Sequence, residues 1–68
     1  MEKNRVAQRI RAFRKLKGYT QNELALKMGI SISKLGSIER GSVKPDEKTI
    51  QLISETLNID PAELKNQD

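Results

Sequence analysis

Apolar residues recur along the chain at intervals of three and four, with no alternating runs, so the pattern predicts helices and no strands. Val6, Ile10 and Phe13 share one face of a first helix over 5–17, and Leu16 is expected to extend that face into the core. Gly18 supplies its stop in the left-handed conformation. A second helix over 21–28 follows Thr20, whose side chain can cap it while Glu23 closes a capping box. Leu24, Ala25 and Met28 lie on its inner face, and Gly29 ends it. Ser31 caps a third helix that runs to Gly41, in which only Leu35 and Ile38 are expected to be firmly buried. The fourth starts after Pro45 with Asp46 as cap, ends near Leu57 and carries the stripe Ile50, Ile53, Leu57. In the short fifth helix Asp60 is the cap, and Pro61 takes the first position, where its missing N–H costs nothing. Glu63 is expected to close a second capping box, with Ile59 and Leu64 pinning the helix to the core. The final "KNQD" is expected to fray. Five short helices with tight connections make an all-α, compact five-helix domain over 1–68.

The third helix breaks helix-building habits. Stepping about 100° per residue along "ISKLGSIER" gathers Leu35 and Ile38 on one side and Gly36, Arg40, Ser33 and Ser37 on the other. Gly inside a helix costs roughly 1 kcal/mol relative to Ala. A merely solvated face ordinarily carries Glu, Lys or Gln. A face cut back to Gly, Ser and one Arg suggests that something approaches it closely. The second and third helices also have the dimensions of a helix-turn-helix. Ala25 supplies a small residue where the helices cross, Gly29 a residue able to take positive φ, and Leu35 and Ile38 the apolar lock.

Charge gives that face a direction. The chain has 68 residues and a net charge of +4, unevenly spread. Residues 1–18 hold seven basic side chains against one acidic, 19–44 four against two, and 45–68 two against six. Such polarity points to a polyanion on one side and something else on the other, although solvated helix faces account for the charges equally well. There is no Cys and no His, which removes disulfides, thiolate nucleophiles, the usual general base and the usual metal ligands. Asp46, Glu47 and Glu55 have no base, metal ligand or Gly-rich loop near them, so neither catalysis nor a metal or other cofactor is expected. No apolar run approaches the roughly 20 residues that span a bilayer, and charges throughout 1–18 do not fit a signal peptide. A cytoplasmic protein without a membrane partner is expected.

The segment "GYTQNELALKMGISISKLGSIERGSVKP" resembles the Cro and phage-repressor type of helix-turn-helix, the lambda-repressor-like DNA-binding domains. The T-Q-x-E-L-A opening, the Gly in the turn, the S-I-E-R-G close and the following Pro carry the resemblance. It implies a bacterial or phage transcriptional regulator, a repressor, that binds double-stranded operator DNA as a homodimer with the third helix in the major groove. It implies base contacts from Ile32, Ser33 and Ser37, and backbone contacts from Gln21, Asn22, Lys34, Arg40 and Lys44. It also implies a structural ion pair between Arg14 and Glu39, and dimerisation within 50–68, for which Leu52, Ile59, Pro61 and Leu64 are candidates, although a purely core role accounts for these four equally well. Arg9 or Arg11 is expected to reach phosphates at the flank of the site. Two positions depart from the pattern. Gly36 stands where longer side chains are frequent, and Ile32 where polar ones are, so direct readout is expected to be modest, with shape and spacing contributing. Two other functions fit the same fold. One is the antitoxin of a toxin–antitoxin pair, binding a protein toxin and its own promoter. The other is a protein-interaction module, with a co-regulator as partner.

Overall fold

Local hydrogen bonding fixes where the second to fifth helices begin. A computed structural model describes residues 5–65, and the expected fraying beyond Lys65 falls outside them. The helices are α1 (Arg5–Leu16), α2 (Gln21–Met28), α3 (Ile32–Arg40), α4 (Glu47–Leu57) and α5 (Pro61–Lys65), with no strand among the described residues. Before α2 the Glu23 N–H donates to the Thr20 hydroxyl at 3.1 Å, and the Thr20 N–H donates back to the Glu23 carboxylate at 2.9 Å. Ser31 accepts from the Lys34 N–H and Asp46 from the Thr49 N–H, so α3 and α4 start on their own caps. The second capping box does not form. Asp60 accepts from the Ala62 N–H at 3.0 Å, while the Glu63 N–H goes to the Asp60 carbonyl at 2.8 Å. A helix of little more than one turn is met by an Asx-type turn instead.

Left-handed residues end the first four helices. Gly29, at φ 75°, lets the Ile30 N–H fold back to the Ala25 carbonyl and closes the turn between α2 and α3. Asn58, at φ 62°, does the same after α4, sending the Ile59 N–H to the Ser54 carbonyl. Asn is the non-glycine that most readily takes this conformation.

The core draws on every helix. Ile10, Leu24, Leu35, Ile38, Ile53, Leu57 and Leu64 are almost fully buried, and Val6, Phe13, Tyr19, Ile30, Leu52 and Ile59 pack half-buried around them. Burying one such aliphatic side chain contributes roughly 1.5–3 kcal/mol. α3 packs against both α1 and α2, and α5 against α1 and α4. One expectation for α1 fails: Leu16 is 75% exposed. The inner face is Ala7, Ile10 and Arg14, which lie within about 60° of one another, whereas Leu16 is turned about 120° from Ile10.

Candidate nucleic-acid interface

α3 is anchored along one edge and open along another. Leu35 and Ile38 hold the anchored edge in the core, while Ser33 and Lys34 are exposed and Ile32 is 46% exposed. Arg40 is exposed at the end of the helix, and Ser37 is half-buried. At the start of α2, Gln21 is half-buried and Asn22 exposed, and Lys44 is exposed in the connection to α4.

A polar cluster ties these elements together beneath the open edge. Arg14 donates from Nε to Glu39 Oε2 at 2.8 Å and from Nη2 to Glu39 Oε1 at 3.1 Å. This is the paired, fork-like geometry that makes guanidinium–carboxylate contacts strong. Arg14 Nη1 also donates to the Tyr19 carbonyl at 2.9 Å. The ion pair is buried, with side-chain exposures of 9% and 3%. Removing one partner of such a pair costs about 3–5 kcal/mol, because the other charge is left buried alone. Glu39 Oε1 has a further donor, Gln21 Nε2 at 3.2 Å. One carboxylate therefore joins α1, α2 and α3. The contact from Gln21 has no simple signal in the sequence, since it needs two helices to be docked before its partners meet.

Gly36 differs most from the reading of α3 alone. It is buried, not bare. A Cβ at this position would lie 3.2 Å from Arg40 Nη1 and 3.6 Å from Gln21 Oε1, so these two polar side chains cover it. A wheel drawn for α3 cannot show a side chain arriving from α2. Arg40 is folded along the helix, with Nη2 donating to the Ser37 hydroxyl at 3.3 Å. Ser37 thus serves as a rest for Arg40 as well as a group on the open edge.

The arginines of α1 separate. Arg9 turns to α5, donating from Nη1 to the Glu63 carbonyl at 3.2 Å. Arg11 lines an open trough of about 470 Å³ with Arg14, Gln21, Glu39 and Arg40. With Arg14 committed to Glu39 and to the Tyr19 carbonyl, Arg11 and Arg40 are the guanidinium groups that make the trough hospitable to an anion such as phosphate. Asp46, the cap of α4, keeps its carboxyl below the ordinary carboxylate range, chiefly because the Thr49 hydroxyl and N–H donate to it, with a smaller effect of the Lys34 charge.

The candidate dimer surface needs one correction. Leu64 is fully buried in the protomer's own core, where a five-residue helix has no other apolar side chain to anchor it as firmly. Leu52, Ile59 and Pro61 are half-buried and keep part of their surface available. Among the described residues no group of acidic side chains could hold a metal ion, and no helix is long and apolar enough to cross a membrane.

Known proteins share this arrangement. A helix-turn-helix family model matches residues 10–64. The chain is 53% identical over 64 residues to the uncharacterized HTH-type transcriptional regulator YazB of Bacillus subtilis (strain 168), a match covering 94% of this chain and 93% of that protein. It is 38% identical over 63 residues to the HTH-type transcriptional regulator SinR of Bacillus licheniformis, covering 91% of this chain and 57% of SinR. Among solved structures, the restriction-modification controller protein C.AhdI from Aeromonas hydrophila superposes with a TM-score of 0.86 at 33% identity, over 93% of this chain and 96% of that one.

Proposed function

The chain belongs to the helix-turn-helix family of DNA-binding transcriptional regulators, and from that premise we propose that it represses transcription by binding a pseudo-palindromic operator as a homodimer. The observation that carries the reading is the open side of α3: Ser33 and Arg40 are exposed and Ser37 half-buried on one side, with Ile32 exposed at the helix start, while Leu35 and Ile38 lock the other side into the protein. In the major groove, Ser33 and Ser37 offer hydroxyls to base edges, and Ile32 an apolar surface for a thymine methyl. Gln21, Asn22, Lys34, Arg40 and Lys44 face phosphates, so binding weakens steeply as salt rises. With so few long side chains on α3, DNA shape and half-site spacing carry much of the discrimination.

The whole chain acts as one domain, with the helix-turn-helix at about 21–40 and self-association within about 50–68. Leu52, Ile59 and Pro61 supply apolar surface for the second protomer, and the acidic residues of this third point away from DNA. The family is one of regulators, not of enzymes, and such a protein works where the DNA is, on the nucleoid. The acidic end also offers a place for a protein partner, such as a toxin or co-regulator. Selection of bound duplexes from a random library, followed by sedimentation with the winning duplex, tests the proposal. The expected result is one enriched palindrome with half-sites about one helical turn apart, carrying two protomers. No enriched sequence, or a single protomer on each duplex, refutes it.

A further inference from the structure

Gly36 is an expense to the helix with no backbone reason behind it. Its φ is not positive, unlike those of Gly18, Gly29 and Gly41, so an L-residue fits the backbone. Alanine in a helix interior is more favourable than glycine. The space that a Cβ would take is also forgiving, since its nearest neighbour, at 3.2 Å, is the tip of the flexible Arg40 side chain and the next, Gln21 Oε1, stands at an ordinary 3.6 Å. The fold gains nothing evident from the glycine. What the glycine does permit is the position of Arg40, whose guanidinium lies over the gap, with Nη2 donating to the Ser37 hydroxyl at 3.3 Å.

We propose that Gly36 is a positioning residue for DNA binding: the missing side chain seats the Arg40 guanidinium flat along α3, between Gln21 and Ser37, ready to take a phosphate. A seated guanidinium presents a fixed fork of donors that matches phosphate geometry. Its rotamers are already restricted before DNA arrives, so less freedom is lost on binding. A Cβ at position 36 pushes Nη1 away, frees the side chain and restores that entropic cost. The inference rests on the DNA-binding reading and adds to it how one contact is prepared.

The test is a double-mutant cycle with Gly36→Ala, Arg40→Ala and the combination, using a labelled duplex of random sequence at low salt. Phosphate contacts need no operator, so this probe suffices. Gly36→Ala is expected to melt higher than the parent, by roughly 4–8 °C, yet to bind the duplex roughly three- to tenfold more weakly, the size of immobilising one long side chain. In the Arg40→Ala background the same change is expected to leave affinity unaltered. The proposal is overturned if Gly36→Ala binds as tightly as the parent. It is also overturned if the loss persists without Arg40, because the added methyl would then be obstructing DNA directly. Failure of the parent itself to bind the duplex refutes DNA binding, a result distinct from both.

Discussion

The two ends of this small domain are held together in different ways. From α1 to α3 the chain is basic, and to the aliphatic packing of Ile10, Leu24, Leu35 and Ile38 its helices add a buried polar tie, the Glu39 carboxylate receiving Arg14 and Gln21. From α4 onward it is acidic, and the helices close on Ile53, Leu57 and Leu64, with the ion pair between Lys65 and Glu47 left exposed at the surface. Aliphatic packing is non-directional and fills space. Hydrogen bonds to a charge fix where a side chain points. The buried directed contacts lie beside the side of α3 for which DNA contact is proposed, and the far end closes on packing.

Glu39→Ala tests the directed end hardest. It strands the Arg14 guanidinium in the interior and is expected to cost about 3–5 kcal/mol, read by chemical denaturation. A variant that unfolds at the parent's denaturant midpoint would make the polar tie ornamental. At the packed end, Leu64→Ala leaves a cavity and is expected to cost about 2–5 kcal/mol. Because Leu64 faces inward, self-association measured by sedimentation under folding conditions should persist. Loss of the dimer from a folded Leu64→Ala protein would return that residue to the interface.

Thr20→Ala removes the acceptor for the Glu23 N–H at the start of α2 and is expected to cost about 1 kcal/mol, seen as a lower melting temperature. Asp46 gives the smallest effect, one that depends on pH. Its carboxyl is held below the ordinary range by the Thr49 hydroxyl and N–H, so the ionised form favours the folded state. The contribution is complete above the unfolded-state pKa and disappears as pH falls through the lower, folded-state value. Asp46→Asn, still able to accept from Thr49, should flatten that part of the stability profile between neutral and acidic pH. An unchanged profile would assign the acid sensitivity to other carboxylates.

Much of the fold was legible because its signals are short-range. Thr20 with Glu23, Ser31, and Asp46 announce helix starts within three residues of themselves, and Gly18, Gly29 and Gly41 announce ends. The end of α4 was less plain, since Asn58 does there what glycine does elsewhere. Leu16 misled because it was added to the stripe for its hydrophobicity, although the helical period turns it about 120° from Ile10. The open edge of α3 was visible in outline from Ile32, Ser33 and Ser37, but its lower boundary was not. Gly36 looked open only while α3 was considered without α2.

Helix number, helix ends and the anchoring residues of α3 follow from neighbours along the chain, because capping, glycine stops and the 3.6-residue period operate within a turn or two. Docking of the helices settled the rest: Arg14 turned inward onto Glu39, Gln21 drawn to the same carboxylate, Arg40 laid over Gly36 and Arg9 sent to α5. Most of these contacts join residues far apart in the chain, and all depend on space and charge that exist only after the helices pack.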